Sequence, residues 1–393
     1  MTVSRRGAAK LVGVTALSYS RILGANDRVN LGVVGTGGRG QYVMTVFQKS
    51  KEVQVTAVCD VYGKRIDEAL GKAPGAKSFY DHRKLVELKE VDVVLIGTPD
   101  HRHKETAIDA LNAGKDVYVE KPLTHRREDG PDIVRAARVN NRICQVGMQQ
   151  RSGRIYLEAK QRFIDTGELG KISHIRCVWH SGRPRRLPVE PAQQPSNLDW
   201  ARFLGPVKWR DWNPAQYLNF RAFLDFGGGK ITDFGAHWLD VVHMYMGVDA
   251  PLSVSSAGGV YFDFNDGRTA PDTISVLYEY PGFSVSFESL AVDNAGPYHI
   301  EFLGDQGKLW IDRNRYQFQR NEKGALPVEQ KIPGDITDDH VRDFLESCVS
   351  RKLPKGDVYI GHRSAQTCLL AVQSYQEKRR IRFDGVREEV FGV

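Results

Sequence analysis

The sequence lacks several features that mark specialised classes of protein. Its five cysteines in 393 residues form no Cys-x-x-Cys pair and are odd in number, so neither a zinc ribbon nor a complete disulfide framework is indicated. No His-Glu-x-x-His segment is present, and no metal site is predicted. The sequence also contains no internal repeat and no low-complexity tract. A hydrophobic content of 41% predicts an ordinary globular protein, and a length of 393 residues predicts two domains.

The chain also lacks a concentrated run of charge of one sign. Its net charge is +7, but the basic residues are spread along the sequence and do not alternate with aromatics. Nucleic acid is therefore not an expected partner. The densest basic cluster surrounds Pro184 in a loop over residues 183–197 that is rich in Pro and Gln. Such clusters are usually solvated, although one facing a cleft would favour an anionic or strongly hydroxylated substrate.

Long hydrophobic runs are absent as well. The apolar stretch at residues 11–17 is too short to span a bilayer, so no membrane association is expected. Arg5 and Arg6 precede this stretch in a pattern typical of a twin-arginine export signal, which predicts an N-terminal extension over residues 1–27 and a periplasmic location. Gly7 stands where a bulky apolar residue is usual, so a cytoplasmic protein with a basic N-terminus remains the alternative.

Apolar, strand-like runs alternate with helical patterns up to about residue 150. The runs cover residues 29–34, 53–59, 92–97, 116–119 and 143–147, with helical periodicity at 104–113 and 128–139. This alternation predicts an α/β domain with a doubly wound parallel sheet over residues 28–150. Ligands of such sheets bind beyond the carboxyl ends of the strands.

A glycine-rich loop follows the first of these strands and is expected to begin a helix. It reads Gly35, Thr36, Gly37, Gly38, Arg39 and Gly40. Gly35 makes the tight turn, Gly37 lets the backbone approach a pyrophosphate, and Gly40 allows close packing of helix on strand. The next strand ends at Asp60, whose carboxylate is placed to accept both ribose hydroxyls of NAD. Its negative charge repels the 2′-phosphate of NADP and so favours NAD. Arg65 nearby could bind that phosphate, so NADP remains the less favoured alternative.

The second half, residues 151–393, has a different pattern. Closely spaced strands are predicted at residues 172–180, 252–262, 273–280, 283–290, 298–303 and 308–311, with helices at 156–165, 231–246, 338–350 and 361–376. This pattern predicts an α+β domain with a large, open, mostly antiparallel sheet. A second subunit is expected to bury the apolar face of so large a sheet, which predicts a homodimer or a homotetramer.

Further motifs follow the glycine loop and Asp60. They are Thr98 and Pro99 followed by His103, the segment Glu120-Lys121-Pro122, and Asp233 with His237 behind the glycines at 227–229. With these motifs the chain resembles the Gfo/Idh/MocA oxidoreductases, a family of sugar and polyol dehydrogenases with an N-terminal Rossmann domain. The resemblance implies NAD as cofactor and a carbohydrate or polyol substrate. It also implies Lys121, Asp233 and His237 as catalytic residues, with Thr98, Pro99, His103, Glu120, Lys121 and Gln149 beside the cofactor.

The spacing of Asp233, His237 and Asp240 agrees with one shared helix face. His237 would take the hydroxyl proton while Lys121 donates to the developing oxyanion, or Lys121 would itself be the base. A metal held by Asp233 and His237 is the weaker alternative, because transfer of hydride to NAD needs none. Candidate substrate contacts are Arg151, Tyr156, His180, Tyr217 and Tyr298.

The sequence leaves three functions open. The first is an NAD-dependent oxidoreductase that acts on a secondary hydroxyl of a sugar, polyol or glycoside. The second is a redox-neutral enzyme that retains its NAD, either oxidising one sugar while reducing another or cleaving a glycoside through a keto-sugar. The third is a non-catalytic NAD-binding sensor.

Overall fold

The computed structural model describes residues 28–262, 264–292 and 298–392. The predicted export signal at residues 1–27 lies outside the described residues. Within the described part of the chain, no helix has both the length and the apolar content needed to cross a bilayer.

The first half forms a six-stranded parallel sheet in the order β3-β2-β1-β4-β5-β6. The strands are β1 Val29–Val34, β2 Val53–Cys59, β3 Lys77–Phe79, β4 Val93–Ile96, β5 Asp116–Val119 and β6 Cys144–Val146. All four residues of both β4 and β5 are buried, because helices cover both faces of the sheet. The predicted doubly wound sheet is confirmed, and β3 is the strand that the sequence missed.

The helices of this half are α1 Gly38–Phe47, α2 Gly63–Leu70, α3 His82–Val86, α4 His103–Asn112 and α5 Gly130–Val139. Single 3₁₀ turns at Asp100–Arg102 and Arg127–Asp129 precede α4 and α5. A third 3₁₀ turn, Gln149–Arg151, follows β6. The loops after β1, β4 and β5 leave the same edge of the sheet and therefore lie side by side.

The second half forms a ten-stranded sheet in the order β14-β13-β12-β11-β7-β10-β9-β8-β15-β16. Its strands are β7 Ile172–Val178, β8 Ser253–Gly259, β9 Thr273–Tyr280, β10 Phe283–Ser289, β11 His299–Gly304, β12 Gly307–Ile311, β13 Arg315–Arg320, β14 Val328–Lys331, β15 Ile381–Asp384 and β16 Glu389–Phe391. Among the described residues, each pair of neighbouring strands in this sheet is antiparallel except β7 with β10. The mostly antiparallel sheet is confirmed, with four strands more than the sequence predicted.

The helices of the second half are α6 Arg154–Ala159, α7 Trp200–Leu204, α8 Pro214–Leu218, α9 Ala236–Met246, α10 Ile336–Ser350 and α11 Val358–Glu377. Of these, α6, α9 and α11 cover one face of the ten-stranded sheet, whereas α7 and α8 form a separate apolar cluster. A wide π turn, Ile231–Gly235, leads directly into α9, and another, Lys160–Ile164, extends α6. Alternate residues of β9 and β10 are buried beneath the helices, and the residues between them point to the other face.

Helix α10 follows the second sheet in sequence but packs into the core of the first. Phe344 is fully buried, and its ring centroid lies 5.9 Å from that of Phe47 and 5.7 Å from that of Tyr118. A ring nitrogen of His340 lies 2.9 Å from the carbonyl oxygen of Val146, at the end of β6. Helix α10 therefore joins the two halves, and the functional site forms between them.

Candidate cofactor groove and active site

The turn after β1 contains glycines that serve two different purposes. Gly35 has a φ of +85°, in the left-handed region that favours glycine. A Cβ on Gly40 would lie 1.9 Å from the carbonyl oxygen of Gly35, so close packing of α1 requires glycine there. Beside Gly37 and Gly38, in contrast, an added Cβ would meet no atom within 4 Å. This open space at the N-terminus of α1 fits a pyrophosphate, which the free backbone N–H groups can bind.

The glycine turn and Asp60, at the end of β2, line one groove, here called the cofactor groove. Asp60 also holds the glycine turn in place. Its Oδ2 accepts a hydrogen bond from the backbone N of Thr36 at 2.7 Å, and its Oδ1 accepts one from Tyr62 N at 3.0 Å. Burial raises the pKa of Asp60 to about 6, against the opposing effect of these bonds. Because a carboxylate has about four acceptor positions, fewer remain for ribose hydroxyls than the sequence suggests.

The opposite wall of the groove comes from residues 197–226, here called the cover segment. Phe203, Tyr217 and Arg221 of this segment face the glycine turn across the groove. Three contacts attach the segment to the first half: Asp199 N to Val61 O at 2.8 Å, Gly63 N to Asn197 O at 2.8 Å, and Arg202 to Asp81 at 2.8 Å. A dinucleotide in the groove would lie between the first sheet and the cover segment.

Thr98 and Pro99 line the groove from the loop after β4, as the sequence predicts for cofactor contacts. His103 does not line it and is fully buried. Its two ring nitrogens lie 2.8 Å from Pro122 O and 2.9 Å from Thr98 O. The structure therefore assigns His103 to joining the loops after β4 and β5, where the sequence predicted a cofactor contact.

Glu120 and Arg39 form an ion pair of 2.8 Å at the inner end of the groove. Gln149 approaches the same carboxylate, with 3.5 Å between its Nε2 and Glu120 Oε1. Gln149 lines a second cavity that shares Gly38, Arg39, Glu120, Lys121 and Arg221 with the groove. The two cavities therefore meet at the end of β5.

Lys121 lies at this junction, with only 10% of its side chain exposed. Its Nζ donates to the carbonyl oxygen of Asp233 at 2.6 Å and to Asp233 Oδ1 at 2.7 Å. Arg221 of the cover segment pairs with the same carboxylate at 3.1 Å. Burial would raise the pKa of Asp233, but the charges of Lys121 and Arg221 outweigh it and lower the pKa to about 2. The sequence did not single out Arg221.

His237, on the first turn of α9, lines the second cavity together with Lys121 and Asp233. Burial is the main cause that lowers its pKa well below the usual value, and the charges of Lys121 and Arg313 add to it. The imidazole is therefore neutral at pH 7. Its Nδ1 is buried and has no hydrogen-bond partner among the described residues. The structure thus brings together the three residues predicted as catalytic.

Asp240 and Arg151 differ from the expected arrangement. Asp240 is fully buried, and its Oδ1 accepts bonds from Arg151 Nε and Ser364 Oγ, both at 2.8 Å. Neither Asp240 nor Arg151 lines the groove or the second cavity. Asp233 lies in a π turn rather than in α9, so the regular helical spacing that would align it with Asp240 does not apply. The predicted substrate contact Arg151 is instead the ion-pair partner of Asp240.

Three stacked rings form one wall of the second cavity. Trp179 lies 5.0 Å from Phe234 and 4.9 Å from Tyr298 between ring centroids, with nearly parallel planes. Tyr298 was predicted as a substrate contact, and Trp179 was not. His180 was predicted in its place. Neighbouring side chains along a strand point in opposite directions, and Trp179 rather than His180 lines the cavity.

The other predicted substrate contacts lie elsewhere. Tyr156 is fully buried in the core of the second half, 6.4 Å from Trp238 between ring centroids. His180 does not line the cavity, and its Nδ1 accepts a hydrogen bond from Leu290 N at 3.1 Å. Tyr217 lines the cofactor groove and stacks edge-on against Tyr62 at 5.9 Å. These positions correct the expectation that Tyr156, His180 and Tyr217 face the substrate.

The weaker metal hypothesis placed an ion between Asp233 and His237. Asp233 instead has two cationic partners. Among the described residues, the three potential metal-binding side chains that come together are His82, Glu105 and Asp109, at the far end of the groove, and His82 is already bonded to Asp109 at 2.8 Å.

The chain matches known proteins along almost all of its described length. Residues 29–148 match the NAD-binding Rossmann-fold model of the Gfo/Idh/MocA oxidoreductase family, and residues 174–392 match the model of its C-terminal α/β domain. The chain is 36% identical to inositol 2-dehydrogenase of Salmonella typhimurium over 292 residues, which cover 73% of this chain and 83% of that protein.

Solved structures show the same fold at lower identity. Levoglucosan dehydrogenase, in complex with NADH and levoglucosan, has a TM-score of 0.71 and 17% identity, and the match covers 91% of this chain and 99% of that one. Aldose-aldose oxidoreductase from Caulobacter crescentus has a TM-score of 0.70 and 18% identity, with 91% and 100% covered. The resemblance drawn from the motifs is thereby confirmed: the chain belongs to the Gfo/Idh/MocA oxidoreductase family and is an NAD-dependent oxidoreductase.

Proposed function

We propose that this chain oxidises a secondary hydroxyl of a sugar or polyol, and that Lys121 and His237 handle the hydroxyl proton. The observation that carries the proposal is the position of Lys121 where the cofactor groove meets the second cavity. A substrate oxygen that reaches Lys121 from the second cavity lies beside the groove. Inositol and levoglucosan, which the names of two similar proteins contain, are polyhydroxylated molecules of this kind.

Lys121 is suited to hold the substrate oxygen. A protonated ammonium has three donors, and Asp233 accepts two of them. The third is left for the oxygen that becomes a carbonyl, where it stabilises the negative charge that develops as the proton leaves. Asp233 and Arg221 act on the reaction by fixing the position of Lys121.

His237 is suited to accept the proton. A neutral imidazole has one acceptor nitrogen, and the lowered pKa keeps His237 neutral at pH 7. Its place in the cavity beside Lys121 lets one hydroxyl contact both side chains. NAD, when bound, supplies the acceptor for the hydride that leaves the substrate carbon.

The test is an assay of the purified protein with NAD and a panel of inositols, aldoses, glycosides and their acids. We expect absorbance of reduced nicotinamide to appear with at least one compound. Calorimetry measures NAD binding separately. NAD binding without turnover of any panel member would contradict the proposal and favour a sensor.

The cover segment favours a second candidate, in which NAD is retained through the catalytic cycle and the reaction is redox-neutral. Ion pairs and backbone bonds hold this segment across the groove. The carbonyl oxygen of Phe203 in the segment also lies 2.7 Å from a ring nitrogen of buried His101. Release of NAD requires such contacts to break, so we expect slow dissociation.

Retention is tested by measuring NAD in the purified protein after extended dialysis. Arg202→Ala removes the ion pairs with Asp81 and Asp199 and should raise the dissociation rate at least about threefold. Lys84→Ala, which removes a surface ion pair with Glu87, serves as the control. NAD that washes out of the wild-type protein with micromolar or weaker affinity would contradict this candidate.

We propose further that a second copy of the chain covers the open face of the ten-stranded sheet. Leu277 in the middle of β9 is 53% exposed on that face. Leu277→Asp should convert a dimer or tetramer into smaller species in sedimentation experiments. Leu326→Asp changes a leucine that is 87% exposed outside the strands and should leave assembly unchanged. A wild-type protein that sediments as a monomer would refute the proposal.

We also propose export to the periplasm, on the basis of Arg5 and Arg6 ahead of the apolar residues 11–17. Replacement of both arginines by lysine should retain the protein in the cytoplasm, as measured by cell fractionation. An unchanged distribution between compartments would favour the cytoplasmic alternative.

A further inference from the structure

Arg313 lies in the turn between β12 and β13 and lines the second cavity. The turn is fixed by Asp312, whose Oδ1 accepts hydrogen bonds from Asn314 N at 2.7 Å and Arg315 N at 2.8 Å. The backbone on both sides of Arg313 is therefore held, and its side chain is directed by local structure rather than by an ionic partner.

The guanidinium of Arg313 stacks on the aromatic wall. Its Cζ lies 4.9 Å from the centroid of Trp179 and 5.9 Å from that of Tyr298. Its Nε is buried without a hydrogen-bond partner. Among residues 28–262, 264–292 and 298–392, no side chain forms an ion pair or hydrogen bond with Arg313. An unpaired guanidinium in a partly buried site is costly unless a ligand satisfies it.

The other charges of the cavity are already matched. Arg39 pairs with Glu120, and Lys121 and Arg221 share Asp233. The remaining carboxylate of the lining, Asp335, caps helix α10 by accepting from Thr337 N at 2.9 Å and also accepts from Tyr42 Oη. Four cationic side chains and three carboxylates line the cavity, so one positive charge is left over.

We propose that Arg313 binds a carboxylate of the substrate, so that the chain acts on a sugar or polyol acid rather than on a neutral sugar. This inference rests on the proposed oxidation of a secondary hydroxyl. A guanidinium presents two parallel N–H donors that match the two oxygens of a carboxylate. One excess charge also fits a carboxylate better than a phosphate, which carries almost two at neutral pH.

The carboxylate takes no part in the bond changes. With NAD bound in the groove, the oxidation would transfer a hydride from the substrate carbon to NAD and the hydroxyl proton to His237, which gives the corresponding keto acid and NADH. Rings of Trp179 and Tyr298 pack against the C–H faces of the substrate, while Arg313 fixes one end and Lys121 holds the reacting oxygen.

A bound carboxylate would also act on His237. The positive charge of Arg313 is among the causes that lower the pKa of His237. A substrate anion at Arg313 offsets that charge and makes the imidazole a better proton acceptor. An acid substrate would thus make His237 a stronger base for the proton of the substrate hydroxyl, and a neutral sugar would not.

The experiment compares glucuronate with glucose, galacturonate with galactose, and glucose 6-phosphate as the phosphate probe. Affinity is measured by calorimetry on the NAD-loaded protein, and kcat/KM is measured wherever turnover occurs. We expect the wild-type protein to prefer an acid over its matched sugar by about 10²-fold. Arg313→Gln should remove this preference, and Arg313→Lys should restore only part of it, because lysine lacks the planar fork.

Arg315→Gln is the matched control. Arg315 is the first residue of β13, directly after this turn, and its guanidinium stacks on Trp310, pairs with Asp312 Oδ2 at 3.4 Å and does not line the cavity. Arg315→Gln should leave the preference for acids unchanged.

Three outcomes would each overturn the assignment. They are equal binding of acid and neutral sugar by the wild-type protein, equal losses of affinity for both in Arg313→Gln, and a preference for glucose 6-phosphate. Oxidation of neutral sugars alone overturns it while leaving the proposed function intact, whereas Arg313-dependent binding of acids without oxidation supports it and counts against the proposed function.

Discussion

Lys121 Nζ donates to both the carbonyl oxygen and the carboxylate of Asp233, at 2.6 Å and 2.7 Å, and so connects the end of β5 to the turn that precedes α9. Because the pKa of Asp233 is lowered to about 2, its carboxylate stays ionised at any ordinary assay pH. The ion pair spans the two halves of the molecule. The position of the lysine against the substrate therefore depends on how the two halves pack together.

Replacement of Lys121 tests its role in catalysis. Lys121→Ala should lower kcat by roughly 10²–10⁴, because the charge that develops on the substrate oxygen loses its donor. NAD affinity should change little, since the glycine turn and Asp60 hold the dinucleotide. Steady-state kinetics and calorimetry measure the two quantities.

Lys104→Ala is the control for this variant, because Lys104 pairs with Asp129 and Asp132 and lines neither the groove nor the second cavity. It should retain full activity. Near wild-type turnover by Lys121→Ala would remove the lysine from the mechanism and leave His237 as the central group.

Two substitutions at Asp60 separate its charge from its role in the glycine turn. Asp60→Asn keeps an oxygen for one backbone N–H but loses the charge, so NAD affinity should fall about 10-fold and discrimination against NADP should relax. Asp60→Ala also frees Thr36 N and should weaken NAD by about 10²-fold. Calorimetry with both dinucleotides measures these effects. Identical affinities for the two variants would show that the bond to Thr36 is unimportant.

Much of this arrangement follows from the sequence. Glycine spacing and the strand-end position of Asp60 are local patterns, and the residues that they single out line one groove in the structure. Trp179 and Arg313 could not be found this way, because they reach the cavity through the pairing of strands far apart in the chain. The hydrogen bond from Thr36 to Asp60 was missed because it joins two separate loops. His180 and Tyr156 were selected for their chemical type, whereas strand direction and core packing determine where they point.

The affinity for NAD should depend on pH through Asp60. Its pKa in the folded protein is raised to about 6, so the carboxylate becomes neutral as the pH falls through this value. NAD affinity should then decline below about pH 6, and Asp60→Asn should show no such decline. The pKa of Asp60 is higher in the folded protein than in the unfolded chain, so its titration stabilises the folded state at low pH, and this stabilisation is lost as the pH rises to about 6. Protonation of Asp60 therefore does not unfold the protein at low pH, and a decline in NAD affinity there is not caused by unfolding through this group. Calorimetry between pH 5 and pH 8 is the measurement, and a flat wild-type profile would contradict the prediction.

The packing of α10 against the first sheet should make stability of the NAD-binding half depend on a residue far along the chain. Phe344→Ala removes a fully buried ring that contacts Phe47 and Tyr118, at an expected cost of about 3–5 kcal/mol. Hydrogen exchange of the amides in β1 and β5 reports on this half separately. Val349→Ala, at a position on the same helix that is 52% exposed, should change these amides by less than about 0.5 kcal/mol. If Phe344→Ala accelerates exchange only in the ten-stranded sheet, α10 does not stabilise the first half, and the two halves fold more independently than their shared core indicates.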